Sequence, residues 1–139
     1  MYMLIYLAFA AAIPGAPPET TEQPLFSLEN GLPPYLVQNN TSVTLAEYDG
    51  IPLMDVGFEK VDWPNVFFDA PDGTWDWSGM LGIAVDIYNP ESFPVNVAMR
   101  IDNAGANGLD NCITLNKLAL PGKWVTFFAP LRSGDTDRF

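Results

Sequence analysis

The feature that most constrains the fold is a strict alternation of apolar and polar positions in the second half of the chain. From Met80 to Tyr88, Leu81, Ile83, Val85 and Ile87 fall on one side of an extended backbone, and Gly82, Ala84, Asp86 and Tyr88 fall on the other. A period of two sets one row of side chains against a core and turns the other row away, as a half-buried β-strand requires. The turn signals Asn89-Pro90 and Phe93-Pro94 follow. The alternation then resumes, with Val95, Val97, Met99 and Ile101 opposed to Asn96, Ala98, Arg100 and Asp102. These two segments are expected to pair as antiparallel neighbours. After a polar loop from Asn103 to Asn111, further strands are expected from Ile113 to Leu120 and from Lys123 to Leu131, divided by the Pro121-Gly122 turn.

The first half carries shorter candidates at Leu25 to Leu28, Ser42 to Glu47, Leu53 to Phe58 and Val66 to Phe68. Gly31, Pro33-Pro34, Asp49-Gly50 and Pro64 separate them. Eight short strands with turn chemistry between them predict an all-β sandwich or jelly roll, since one sheet would leave too many apolar faces uncovered. At 139 residues and 48% hydrophobic content the chain suffices for one domain without disulfide staples. Its single cysteine, Cys112, has no partner for an internal bridge.

The amino terminus is expected to be a leader. Met1 to Ala12 is an apolar run, and Ile13-Pro14-Gly15-Ala16 resembles a small-residue cleavage zone, although no Lys or Arg precedes the run. At about a dozen residues it is too short for a spanning helix. Residues 1–16 are thus assigned as a signal peptide, 17–24 as a linker and 25–139 as the folded domain, in a secreted or periplasmic protein. Asn39-Asn40-Thr41-Ser42 holds two overlapping glycosylation sequons, informative only in a eukaryotic source.

Composition excludes several functions. Histidine is absent, which removes the usual general base of nucleophilic sites and the commonest zinc ligand. Seventeen acidic against six basic residues give a net charge of -11, which repels phosphate backbones and anionic lipid headgroups. Neither nucleic acid nor a membrane is expected as a partner. Glycoside hydrolysis needs two carboxylates about 5 to 10 Å apart. Glu29, Glu47, Glu59 and Glu91 offer no spacing that singles out such a pair. The chain is expected to be non-catalytic, the competing expectation being a small polysaccharide hydrolase or lyase. Oxygen ligands suit calcium, and Glu29 and Asp49 are the candidates for a structural ion.

Binding residues are easier to nominate. Sugar sites set aromatic faces against pyranose C–H faces, with amide, carboxylate and guanidinium groups bonding the hydroxyls. Trp75 and Trp77 follow the turn Ala70-Pro71-Asp72-Gly73, and each is divided between stacking on a ligand and plugging the end of the core. Trp63 and Phe67-Phe68 add to the aromatic supply. Trp124, which opens a strand alternating with Thr126 and Phe128, is assigned to core or inter-sheet packing. Tyr88, Arg100 and Asp102 share the non-core side of the two alternating segments with small residues that leave room for a saccharide or another protein domain. An ordinary solvated face with an Asp-Arg pair is the alternative there.

Phe26-Ser27-Leu28-Glu29-Asn30-Gly31, Trp75-Asp76-Trp77-Ser78-Gly79, Val85-Asp86-Ile87-Tyr88-Asn89-Pro90, Arg100-Ile101-Asp102 and Leu120-Pro121-Gly122-Lys123-Trp124 occur in that order. Together they resemble the galactose-binding-like jelly roll that precedes the catalytic barrel of β-agarases and related β-galactosidase-like glycoside hydrolases. The resemblance covers most of residues 25–131. It implies a carbohydrate-binding sandwich, an agar-like or other galactose-containing polysaccharide as partner, and a catalytic barrel in cis or in trans. It also implies a final closing strand beyond Leu131 to Phe139. A packing domain that buttresses such a barrel without touching sugar is the alternative.

Overall fold

The computed structural model describes residues 2–11, 21–77 and 80–131, with the backbone alone at 2–11 and 21–23. Among them the chain forms strands and turns and no helix. In chain order the strands are β1 (Tyr2–Ala11), β2 (Thr21–Pro24), β3 (Leu36–Asn39), β4 (Thr41–Tyr48), β5 (Ile51–Phe58), β6 (Asn65–Phe68), β7 (Met80–Tyr88), β8 (Val95–Asp102), β9 (Cys112–Ala119) and β10 (Trp124–Pro130). The main sheet has the order β10-β7-β1-β5-β4, with β2 also paired to β1, and β3-β6 and β8-β9 form two separate ribbons. Every pairing is antiparallel.

Both ribbons pack on one face of the main sheet, and this makes the molecule the β-sandwich that its periodicity predicts. Val43, Met54, Val56, Val85, Ile87 and Phe127 form the inner cluster of the main sheet. Val97, Met99 and Leu115 of the β8-β9 ribbon and Leu36, Val66 and Phe68 of the β3-β6 ribbon pack against it. A second cluster joins Ile83 and Ala129 to Ile101. Each fully buried side chain of this size contributes about 1.5–3 kcal/mol, so the folding free energy concentrates between these layers. The alternation assigned to β7 holds, with Ile83, Val85 and Ile87 buried, except that Leu81 at its start is exposed.

Two local expectations change. β7 does not pair with β8: it lies between β10 and β1, while β8 pairs with β9 in the opposing layer. The intervening Asn89–Pro94 segment crosses between layers instead of closing a hairpin. Leu25 to Leu28 forms bends and no strand, although Phe26 and Leu28 still pack on the core. Residues 2–11 of the expected leader run as β1, with backbone paired to β7 along one side and to β5 and β2 along the other. Residues 12–20 of the expected leader and linker, Ser78-Gly79 of the tryptophan motif, and residues 132–139 lie outside the described residues.

Turn chemistry follows the sequence closely. Asp49 and Gly50, at φ 51° and 80°, form the two-residue turn between β4 and β5, where both central residues need positive φ.

Candidate functional site

One corner of the sandwich is organised by a buried amide. Asn89 is 2% exposed. Its Nδ2 donates to the carbonyls of Phe93 and Ala119, both at 2.9 Å, and its Oδ1 accepts from the Glu91 N–H at 3.0 Å. Its backbone N–H donates to the Lys123 carbonyl at 3.2 Å, and its carbonyl accepts from the Gly122 N–H at 2.8 Å. Gly122 has φ 63°, a left-handed value that a side chain resists. The Asn89-Pro90 and Pro121-Gly122-Lys123-Trp124 segments are thus one physical unit. That unit sets the end of β7 beside the start of β10, with Trp124 directly opposite Tyr88.

Tyr88 and Trp124 both point away from the core, their rings 5.4 Å apart. Tyr48 joins them, at 5.4 Å from Tyr88 and 5.6 Å, edge-on, from Trp124. In the sheet β4 is separated from β7 by β5 and β1, about 14 Å at ordinary strand spacing. The tip of the β4-β5 hairpin must therefore leave the sheet and fold across its outer face. The pairing explains how: β5 occupies the flank of β1 only at Tyr2 to Ile5, and β2 takes that flank from Ala8 to Ala11. The resulting trio is accessible, with Tyr48 at 38% and Trp124 at 44% exposure.

Trp124 thus corrects the expectation of core packing. Val125 and Phe127 supply the inward positions of β10, and the period of two turns Trp124, Thr126 and Phe128 outward. Further along this face the Thr126 hydroxyl donates to Asp86 Oδ1. The small residue Gly82 does not leave room for a ligand. A Cβ built there would meet the Phe128 ring at 2.5 Å, so the space is filled by the neighbouring strand. The Lys117 ammonium donates to the Thr126 carbonyl on the edge of β10 and lies 5.5 Å from the Phe127 ring centroid. A lysine so placed discourages pairing of that edge with another chain.

Trp75 and Trp77 belong to a different cluster. Their rings stack at 6.1 Å and 13°, and Trp75 meets Tyr35 edge-on at 5.3 Å. Tyr35 and Phe26 continue the contacts to Phe68 on β6. Trp77 packs on the Ile83, Ile101 and Ala129 cluster. These rings close one end of the core, and burial pushes the Tyr35 phenol up.

Arg100 and Asp102 lie on neither surface. They project from the outer side of β8, in the opposite layer from Tyr88, because β8 pairs with β9 and not with β7. Arg100 Nε and Nη2 donate to the two Asp102 carboxylate oxygens at 2.5 and 2.7 Å, a fork between residues on the same side of one strand. The hydrogen bonds to Asp102, and then its charge, raise the guanidinium pKa further. The adjoining loop spends its polar groups on itself: Asn107 Oδ1 accepts from the N–H groups of Leu109 and Asp110, and its Nδ2 donates to Asp110 Oδ2.

The residues nominated for calcium, Glu29 and Asp49, are both exposed and stand in separate turns, after Ser27 and between β4 and β5. Among the described residues no group of three or more His, Cys, Asp or Glu is placed to hold an ion.

Two aromatic residues acquire importance only in the structure. Tyr48 was not singled out, although a tyrosine directly before Asp-Gly marks a ring at a hairpin tip. Trp63 was noted only as additional aromatic supply, yet it is 85% exposed with φ 58°. A bulky residue before Pro64 in a polar turn was the available signal.

No family model matches the chain, and no solved structure matches it. Over 67 residues the chain is 31% identical to beta-agarase B of Vibrio sp. (strain JT0107), a match taking in 42% of this chain and 7% of that protein. The chain therefore corresponds to a small part of that relative's length, and its similarity is to an agarase.

Proposed function

We propose that the chain is a non-catalytic carbohydrate-binding module of an agarase-related protein, and that Tyr48, Tyr88 and Trp124 receive an agar-type, galactose-containing polysaccharide. The observation that carries this reading is the outward trio itself. Three rings from three strands meet on the outer face, Tyr48 and Trp124 exposed and Tyr88 half-buried, at a corner held by the buried Asn89. Rigid aromatic surface of this kind suits the apolar face of a pyranose and loses little conformational entropy on binding. The similarity to an agarase supports agar over other glycans, and an agar-binding role is consistent with a secreted or periplasmic protein. Of the residues nominated from sequence, Tyr88 lies on this surface; Trp75 and Trp77 act through packing, and Arg100 and Asp102 sit apart. No cofactor or ion takes part in this reading.

Affinity electrophoresis of the whole chain through agarose tests it. Retarded migration that Trp124→Ala relieves is the expected result. Migration that matches an inert standard would sink the reading. A second reading is favoured by Phe128, 45% exposed on the same outer face: the trio and Phe128 together would form a packing surface for a catalytic barrel. It predicts no retardation in agarose but tight association with the purified barrel.

A further inference from the structure

Trp63 combines two properties that oppose stability. Its indole is 85% exposed, so it adds almost nothing to the core. Its backbone, at φ 58°, sits in the left-handed region, where the Cβ of any residue but glycine is crowded. A bulky residue in that conformation persists only where its surroundings impose it, and such strain gathers at functional sites. The imposing contacts are visible. Asn65 Nδ2 donates to the Trp63 carbonyl at 2.8 Å, the Thr41 hydroxyl donates to the Asn65 carbonyl at 3.2 Å, and the Glu59 N–H donates to the Asn40 carbonyl at 3.0 Å. These bonds tie the turn to the β3-β4 junction and fix the backbone from which the ring projects.

The neighbouring surface has matching chemistry. On the outward side of the β3-β6 ribbon, Asn39 stands opposite Asn65 and Val37 opposite Phe67. Phe67 is 43% exposed, and Asn39 is exposed as well. An amide offers both donors and an acceptor, which is what sugar hydroxyls require, and an indole offers the flat apolar face that pyranose C–H groups require. Glu59 and Asp62 outnumber Lys60 in the turn, and the whole chain carries a charge of -11. A sulfated polysaccharide would meet like charge there.

We infer that Trp63, with Asn39, Asn65 and Phe67, is a second saccharide-stacking site that takes an uncharged pyranose and discriminates against sulfated galactans. The inference rests on the carbohydrate-binding reading above and extends it to a surface distinct from the Tyr48, Tyr88 and Trp124 corner.

The test uses the full chain labelled with fluorotryptophan, its Trp63 and Trp124 fluorine resonances assigned from Trp63→Phe and Trp124→Phe. Titration with an agarose-derived hexasaccharide is expected to shift both resonances. A sulfated galactan hexasaccharide is expected to shift Trp63 with at least about fivefold weaker affinity. Trp63→Gly relieves the strain, so its urea midpoint should stay or rise while retention in agarose falls. If Trp124 shifts and Trp63 does not, the second site is overturned and the proposed function stands. If neither shifts and the chain runs unretarded, both are overturned. A clear fall in the midpoint of Trp63→Gly would make Trp63 a structural residue and overturn the inference. Equal affinity for the sulfated ligand would overturn the discrimination.

Discussion

The molecule carries two clusters of aromatic residues that look alike in composition and differ in use. Phe26, Tyr35, Phe68, Trp75 and Trp77 meet ring to ring and lean on the core. Tyr48, Tyr88 and Trp124 meet at similar distances but on the outer face of the main sheet. The difference lies in what stands behind each set. The first is backed by the core: Phe26 and Phe68 pack on the inner cluster of the main sheet, and Trp77 packs on Ile83, Ile101 and Ala129. The second stands at a hydrogen-bonded corner, and Tyr48 and Trp124 keep 38% and 44% of their surface exposed. Ring content therefore says little about binding; what decides it is whether the core would be left open without the ring.

That contrast can be broken by substitution. Trp77→Ala removes a ring from the core-facing cluster and is expected to destabilise the chain by about 3–5 kcal/mol, read as a lowered urea midpoint. A loss near zero would place Trp77 among the surface residues. Asn89→Ala strips bonding partners from two carbonyls and one N–H at the corner, with an expected loss of about 3 kcal/mol. Asn89→Asp should do no better, because a carboxylate keeps the acceptor but lacks both donors. Gly122→Ala forces a Cβ into the left-handed region and should lower stability by about 1–2 kcal/mol, measured by the same unfolding curve. Trp124→Ala is expected to leave stability within about 1 kcal/mol of the parent while weakening agarose retention about tenfold. The reverse pattern would erase the distinction between the clusters.

The smallest effect concerns pH. Burial raises the folded-state pKa of Tyr35 above its unfolded value. The folded state then holds its proton more tightly, so the stabilisation is fully present below about pH 10 and is lost as pH rises through the folded pKa. Tyr35→Phe should flatten the decline of the unfolding midpoint across that alkaline range. An unchanged slope would assign the decline to other groups.

Much of this architecture is legible in the sequence. The strands from Ser42 onward, the Asp49-Gly50 turn and the inward rows Ile83, Val85, Ile87 and Val95, Val97, Met99, Ile101 follow from patterns a few residues long. The candidate surface was legible only in part. Tyr88 was nominated on its alternation, but Trp124 was assigned inward, and Arg100 and Asp102 were grouped with Tyr88 on the assumption that β7 and β8 are neighbours. The observed pairing of β8 with β9 sets Arg100 and Asp102 in the other layer, away from Tyr88. A short apolar run at an amino terminus has the same composition in a leader and in a strand, so composition alone does not mark β1.

The sequence by itself determined where the chain extends, where it turns and which side of each strand is apolar, because these depend on backbone preferences and side-chain alternation within single segments. Only the tertiary structure decided that β7 lies between β10 and β1, that β8 and β9 face it from the other layer, and that Tyr48 folds across the sheet to reach Tyr88 and Trp124. Such choices depend on which distant segments cover which faces. They are settled by the competition of many long-range contacts, and no local pattern encodes that competition.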